Sequence, residues 1–513
     1  MNNNYTIGII DIGSNSIRAV IYEITVTGAH RLIHENKISA RLSQNIEPDG
    51  SLSKQALLEL IPVLQQFQAI CTRFQCRHIK VAATAAIRNA TNCHAIIEEI
   101  KRQTKLPIQI LSGEEEAYFG YVGVISNTTV ESGFIIDIGG GSTEISLFRE
   151  RKLIDSVSLP IGAVNSHISY GEPIAAWSEA QMELLTNQVT TLLQKHAFIA
   201  NNKGLVAIGL GGTVRALSKL SQQRTNYPLQ MIHYYEMEPA TIDYFATLLP
   251  SFPLDKRKRL AGLSKSRADI IVSGVLILQT ILHYMGANRL IVSGNGLRDG
   301  LLYEVAQLDI PHGQDVTIQQ INSILAFHTV ASDDHFQQVE QFSNQLWQLF
   351  SPYAEPEPIA EKLRYIAAKL YKIGSSIRYH QFEKHSLYWL VHSPIASLTH
   401  RETLLSAYIV ATALGKGAKF TEPLTPYRSL LEASDPTVIM QIGSLLQIAI
   451  ALSISETEAV QRIEPTLTTD KLHITIYTNT PIPLEEQALE SATKVFKKAW
   501  TRELTWTFST TSF

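Results

Sequence analysis

The sequence predicts an α/β protein: two similar α/β domains facing one another across a cleft, then an all-helical domain and a small α/β tail. Three observations carry this. Ile9-Ile10-Asp11-Ile12-Gly13-Ser14-Asn15-Ser16 recurs 126 residues later as Ile135-Ile136-Asp137-Ile138-Gly139-Gly140-Gly141-Ser142. In each copy an apolar run of strand length leads into a Gly/Ser turn and a second β-prone run, Ile17 to Ile24 or Glu144 to Phe148, which reads as a β-hairpin with an Asp at its tip. Strand-length runs then alternate with helical spacing until Ile310-Pro311, after which the pattern is helical to about residue 415.

Taken in order, helical spacing over Ser53 to Cys71 is followed by a strand at Ile79 to Ala82, a helix at Ala95 to Thr104 and a strand at Ile108 to Leu111. The second unit continues with a helix from Ser178 to His196, a strand from Leu205 to Gly209, a helix around Ile270 to Met285 and a strand from Arg289 to Ser293. Gly294-Asn295-Gly296 then leads into a helix from Leu297 to Val305. Helices follow at Thr317 to Val330, His335 to Phe350, Pro358 to Tyr371, His385 to Val391 and Arg401 to Leu414. Alternation at Lys471 to Tyr477, a helix at Leu484 to Trp500 and a last strand close the chain. The expected domains are 1–125, 126–308, 315–430 and 431–513.

The chain has 513 residues, with 44 Lys+Arg against 47 Asp+Glu, so any polyanion must be met by locally placed cations. This balance argues against a general nucleic-acid or membrane-coating protein. Three cysteines, Cys71, Cys76 and Cys93, make no disulfide framework and read as small buried hydrophobes in a reducing compartment. Met1-Asn2-Asn3-Asn4-Tyr5 shows no secretory pattern, and a cytoplasmic location is expected. The uncharged stretch Ile270 to Asn288 and the stretch Pro436 to Ser455 carry several polar groups each, and read as buried helices, not membrane spans.

Four Gly/Ser/Thr turns suit phosphate: Gly13-Ser14-Asn15-Ser16, Gly139-Gly140-Gly141-Ser142-Thr143, Gly211-Gly212-Thr213 and Gly294-Asn295-Gly296. Without bulky side chains, backbone N–H groups converge on an anion and hydroxyls add donors. An Asp at such a tip, Asp11 or Asp137, is placed to hold Mg²⁺ on a phosphate oxygen. Arg88 follows a strand, while Arg18 and Arg215 sit just past glycine turns; each reads equally as a phosphate partner or a surface arginine. Lys256-Arg257-Lys258-Arg259 reads as a solvated helix start. In Ser112-Gly113-Glu114-Glu115-Glu116-Ala117, acids in a first helical turn complement the helix dipole, and one of them is a candidate general base. Spacing does not choose among the three.

At this point the motifs become specific. Asp11 to Arg18, Ala83-Thr84-Ala85-Ala86-Ile87-Arg88, Ser112 to Ala117 and Asp137 to Glu144 stand in the order seen in the Ppx/GppA family. So do Ser158 to Ala163, Gly211 to Leu217, Arg267-Ala268-Asp269-Ile270-Ile271 and Gly296 to Glu304, and the chain resembles that family over residues 5 to 305. These are exopolyphosphatases and guanosine pentaphosphate phosphohydrolases. The resemblance implies two domains of the actin, Hsp70 and sugar-kinase type with an interdomain cleft, and Mg²⁺-dependent removal of a terminal phosphate from inorganic polyphosphate or pppGpp. It assigns Glu116 as the base that activates water. Asp137 and Glu144, with Asp11 opposite, would position metal and water. Arg18 and Arg88 would hold phosphate. Gly13, Ser14, Asn15, Gly139, Gly140, Gly141, Ser142, Thr143, Gly211, Gly212 and Thr213 would cradle the phosphates. A kinase on the same fold and a non-catalytic sensor of polyphosphate or pppGpp are the alternatives.

Long members of the family resemble the HD phosphohydrolase fold in the third domain. Here Lys369-Leu370-Tyr371-Lys372-Ile373-Gly374 puts Tyr371 and Lys372 where the His-acid pair is expected, and His385 survives alone. No metal is expected there; Lys372, Arg378 and Lys384 read as a basic track or a solvated helix face. A homodimer through the C-terminal domains is expected by resemblance.

Overall fold

The computed structural model describes residues 4–313, 315–415 and 425–509; Met1 to Asn3, read above for a signal, lie outside them. The chain forms two compact units, 1–323 and 324–513. The division falls inside the helix Asp315–Phe327, so the first turns of the expected third domain belong with the first unit.

The first unit holds two sheets. One has the order β3-β2-β1-β4-β5, with β1 Tyr5–Ile12, β2 Ile17–Ile24, β3 His30–Ile38, β4 His78–Ala83 and β5 Ile108–Ile110. The other has the order β10-β11-β9-β6-β7-β8, with β6 Gly133–Ile138, β7 Thr143–Arg149, β8 Lys152–Leu159, β9 Ala207–Leu210, β10 Glu236–Met237 and β11 Leu290–Val292. Apart from the extra edge strand β10, the two share one plan. An antiparallel meander (β1-β2-β3 or β6-β7-β8) is followed by two strands added in parallel on its far side. Both faces are covered: in the first sheet Ile10 and Ile12 are buried with Leu60 and Phe67 on one side and Ile7 and Ile9 with Phe119 and Leu301 on the other; in the second, Ile136 is buried with Val214 and Val275 and Ile135 with Tyr121 and Val122. The stretch Ile270–Asn288 lies here as the helix Ile271–Met285, and none of the described helices is long and apolar enough to cross a membrane.

Two helices from the two halves, Gly113–Ile125 and Leu297–Ala306, pack backbone to backbone. A Cβ on Gly123 would lie 2.0 Å from the Gly296 carbonyl oxygen, and one on Gly300 would lie 2.0 Å from that of Phe119. Any side chain at these two positions would push the helices apart.

One expectation about charge is corrected. Arg257, read as part of a solvated basic run, is fully buried: its stem lies in the core and Nη1 donates to the Asp269 carbonyl at 3.3 Å.

In the second unit, the helix Asp435–Ala451 packs against Asp333–Phe350, His400–Ala413 and Pro483–Trp500. A three-stranded sheet in the order β12-β13-β14 completes it, with β12 Val460–Leu467, β13 Lys471–Thr478 and β14 Glu503–Ser509. Where the pair of HD-type ligands was sought, Tyr371 Oη meets His335 Nε2 at 2.5 Å, and Lys372 is buried in an ion pair with Glu456. Lys372 therefore neither extends a surface track nor sits on a solvated helix face, and the histidine that meets Tyr371 is His335.

Candidate active site

The two hairpins are superposable in their bonding. In β1–β2, Asp11 faces Arg18 and Ile12 faces Ile17, with Gly13 N–H donating to the Ser16 carbonyl at 3.1 Å. In β6–β7, Asp137 faces Glu144 and Ile138 faces Thr143, with Gly139 N–H donating to the Ser142 carbonyl at 3.0 Å. The tips meet: a Cβ on Gly140 would come within 2.9 Å of Ser14 Cβ. Between them opens a cleft of about 970 Å³, counted out to the open solvent at its mouth.

Asp11, Gly13, Ser14, Asn15, Arg18, Glu116, Asp137, Gly139, Gly140, Ser142, Glu144, Gly211 and Gly212 all line this cleft, as does the turn Gly294-Asn295-Gly296. Four expected residues are placed otherwise. Thr143 is buried and donates to the Ile161 carbonyl at 2.6 Å; Thr213 turns its side chain toward Gly274, inside the second lobe. The Gly141 carbonyl accepts from Asn165 at 2.9 Å, and Arg88 stands behind the wall, bonded to Glu116. Hydroxyls next to a glycine turn look alike in sequence; strand register at Thr143 and helix phase at Thr213 decide which way each faces.

The structure separates the three acids that spacing left open. Glu115 completes a capping box, accepting from Ser112 N–H at 2.7 Å while its own N–H donates to Ser112 Oγ at 3.0 Å. Glu114 is exposed. Glu116 alone of the three lines the cleft, with its side chain 10% exposed and ion-paired to Arg88, which also donates to the Leu111 carbonyl at 2.7 Å.

Both signs of charge are crowded. Burial, and then the neighbouring Glu144, push the Glu116 carboxyl well above its ordinary range against the pull of Arg88. Burial raises Asp137 to about 6, and burial together with Asp137 raises Glu144 to about 7; Glu144 accepts from Ser158 Oγ at 2.8 Å. Asp11 is raised by burial although Arg298, 3.4 Å away, and Arg18 both pull it down. On the cationic side, burial and then Arg298 and Arg215 lower Arg18 to about 10, and burial and then Arg18 lower Arg267 to about 10. Burial, Arg18, Arg267 and Arg215 lower Lys37 to about 8. Cations brought this close raise one another's energy, and an anion among them relieves it. Arg267 and Arg298 belonged to motifs that the sequence showed without assigning them to the site; the fold brings them to it.

A second recess of about 760 Å³ continues from the cleft, sharing Arg18, Gly212, Arg215 and Arg267 with it and adding Lys37, Lys219 and Ser264. At the rim Arg41, left-handed at φ 47, spans the lobes. Its N–H donates to the Asn15 carbonyl at 3.1 Å, and its guanidinium bonds Asp269 at 2.6 Å and the Ser266 carbonyl at 2.9 Å.

Among the described residues no group of three or more His, Cys, Asp or Glu side chains is drawn together to hold a metal ion. The donor set still fits a cation such as Mg²⁺, which takes one or two carboxylates and fills its other positions with water and phosphate oxygens. Asp11, Asp137 and Glu144 are buried carboxylates on the cleft walls, each holding its proton more tightly than usual.

Against known proteins, residues 20–308 match the model of the Ppx/GppA phosphatase family, and residues 316–493 match that of Ppx/GppA phosphatase domain III. The chain belongs to the Ppx/GppA phosphatase family. It is 29% identical over 426 residues to the guanosine-5'-triphosphate,3'-diphosphate pyrophosphatase of Aeromonas hydrophila, covering 80% of this chain and 81% of that one. It is 26% identical over 502 residues to the protein of that name from Vibrio vulnificus, covering 94% and 95%. Among solved structures, an Aquifex aeolicus Ppx/GppA family member matches with TM-score 0.52 and 28% identity, over 59% of this chain and 98% of that one. An exopolyphosphatase from Cytophaga hutchinsonii matches in fold with TM-score 0.55 and 21% identity, over 60% and 99%. The two lobes are thus the actin-like pair of Ppx/GppA proteins, and this family member is a hydrolase of phosphoanhydride bonds.

Proposed function

We propose that this Ppx/GppA protein removes the terminal phosphate of inorganic polyphosphate, and also converts pppGpp to ppGpp. The observation that carries the reading is the file of cations, half-buried Arg298, Arg18, Arg215 and Arg267 followed by exposed Lys37 and Lys219, running from the cleft into the recess beyond it. One phosphate does not need six cations; a string of phosphates does. Gly13, Gly139, Gly140, Gly211 and Gly212 leave the backbone open for close approach of the terminal phosphate.

In this reading Glu116 is the general base. Its carboxylate, turned to the cleft and paired with Arg88, takes the proton from water as that oxygen bonds to the terminal phosphorus. The bridging oxygen departs with its electron pair as the end of a shorter phosphate chain, and Arg18, Arg215 and Arg298 hold the charge that develops. Asp11, Asp137 and Glu144 would hold Mg²⁺, which when bound neutralises phosphate charge. Arg41 keeps the two walls together around the chain.

A second reading, pppGpp as the principal substrate, is favoured by the names of the relatives in Aeromonas and Vibrio. Phosphate release measured side by side on long polyphosphate, pppGpp and ATP tests both. Highest kcat/KM on long polyphosphate is the expected result; preference for pppGpp reverses the order, and release from neither removes the proposal.

A further inference from the structure

The helix Lys54–Arg73 ends in two nested backbone hydrogen bonds: Gln75 N–H donates to the Thr72 carbonyl and Cys76 N–H to the Cys71 carbonyl, both at 3.0 Å. Gln75 between them is left-handed at φ 53. This is the bonding of a Schellman cap, which sets the residues at the ends of the longer bond side by side, a place commonly filled by an apolar contact. Here it is filled by two thiols, hydrogen-bonded to one another. Both sulfurs also converge on one spot of β1: a Cβ on Gly8 would lie 2.6 Å from Cys71 Sγ and 3.4 Å from Cys76 Sγ. The cap is fastened to that strand, with Thr6 Oγ1 donating to the Phe74 carbonyl at 2.8 Å and Arg77 N–H to the Thr6 carbonyl at 2.8 Å.

A disulfide requires Cα atoms within about 7 Å of each other. A Cα lies about 2.4 Å from its own carbonyl oxygen and about 1.5 Å from its own nitrogen. The bond between Cys76 nitrogen and Cys71 oxygen therefore holds this pair inside the limit. Cys71 is buried and Cys76 is partly exposed, so an oxidant meets Cys76 first. Cys93 takes no part in the cap.

We propose that Cys71 and Cys76 form a thiol modification site, a dithiol that closes to an intramolecular disulfide on meeting a small-molecule disulfide. The Cys76 thiolate attacks one sulfur of the reagent and expels the other half as thiolate, leaving a mixed disulfide on Cys76. Cys71 then gives up its proton, attacks the Cys76 sulfur and expels the second half. Two protein thiols are oxidised, one reagent disulfide is reduced to two thiols, and no other electron acceptor is needed. The hydrogen bond from Cys71 holds the Cys76 thiol below its ordinary pKa, and the same contact, with burial, pushes Cys71 up, which assigns attack to Cys76 and resolution to Cys71.

The test treats the full chain with glutathione disulfide and follows intact mass, free-thiol count and peptide map. The expected product has lost about two mass units, has one free thiol left of three, and yields a Cys71–Cys76 cross-linked peptide that dithiothreitol removes. Cys71→Ala should stop at the glutathione adduct on Cys76, and Cys76→Ser should resist both adduct and cross-link. A stable glutathione adduct on the unaltered protein, a cross-link to Cys93, or an adduct on Cys71 forming as fast in Cys76→Ser would each overturn the proposal.

Discussion

The two lobes of the first unit repeat one backbone device and put opposite charges on it. Across the hairpin from Asp11 stands Arg18; across from Asp137, at the equivalent place, stands Glu144. The first tip therefore contributes a cation next to its Asp, while the second contributes a second acid, and Glu116 joins that acidic side. Strand and turn symmetry brings two glycine turns together; the break in side-chain symmetry puts a cation across from one tip's Asp and a second acid across from the other's. The lesson is that the fold is duplicated and the chemistry is not.

The largest test of that division is Glu116→Gln. It should lower kcat for phosphate release by about 10² to 10⁴-fold with KM little changed, since it removes a base and leaves the cationic wall intact. Equal loss in Glu115→Gln would contradict the assignment, because Glu115 serves the helix cap. Making the tips alike comes next. Arg18→Glu should cut kcat/KM by about 10- to 100-fold, mainly through KM, and flatten the salt dependence, if a charge-assisted bond worth about 1.5–3 kcal/mol is lost.

The strap between the lobes sharpens the comparison further. Arg41→Ala and Asp269→Ala should each raise KM severalfold and, made together, should cost less than the sum, with a coupling of about 0.5–3 kcal/mol. Strictly additive losses would separate Arg41 from Asp269.

A smaller effect follows from the acidic wall. Asp137 and Glu144 bind protons more tightly in the folded chain than in the unfolded one, so the stability they contribute is present at low pH and is lost as pH rises through about 6 and about 7. The melting temperature of the ligand-free protein should fall between pH 5 and pH 7.5, and Asp137→Asn should flatten the fall. A melting temperature that rises over this interval by the same mechanism in both proteins would reverse the sign. The least effect is expected in the second unit: Tyr371→Phe removes the bond to His335 and about 1 kcal/mol of stability, leaving phosphate release unchanged.

Much of the first unit was legible because its signals are local. A hairpin tip is written in consecutive residues, and Asp11-Ile12-Gly13 and Asp137-Ile138-Gly139 announce their turns without help from the rest of the chain. The helix ends were legible where caps are adjacent, as at Ser53 and Ser112. Of the run Lys256 to Arg259, read as solvated, only Arg257 departs, for the converse reason: whether an arginine stem meets water or core depends on what packs over it, and nothing within four residues says so. Thr143 and Thr213 looked like ligands by proximity to glycine and turned out to face inward.

By itself the sequence determined that two Asp-tipped hairpins exist, that they belong to α/β lobes, and that phosphate chemistry is their business, because period-two alternation and glycine turns are properties of short segments. Tertiary structure alone decided that Glu115 serves the helix cap while Glu116, which the family motif had singled out, turns to the cleft, that Arg267 and Arg298 join Arg18 there, and that Cys71 lies against Cys76. Those are facts about side chains meeting across long separations or around a helix end. The reason is geometric: a segment fixes its own backbone, but which face of it meets solvent, a cleft or another strand is set by everything folded around it.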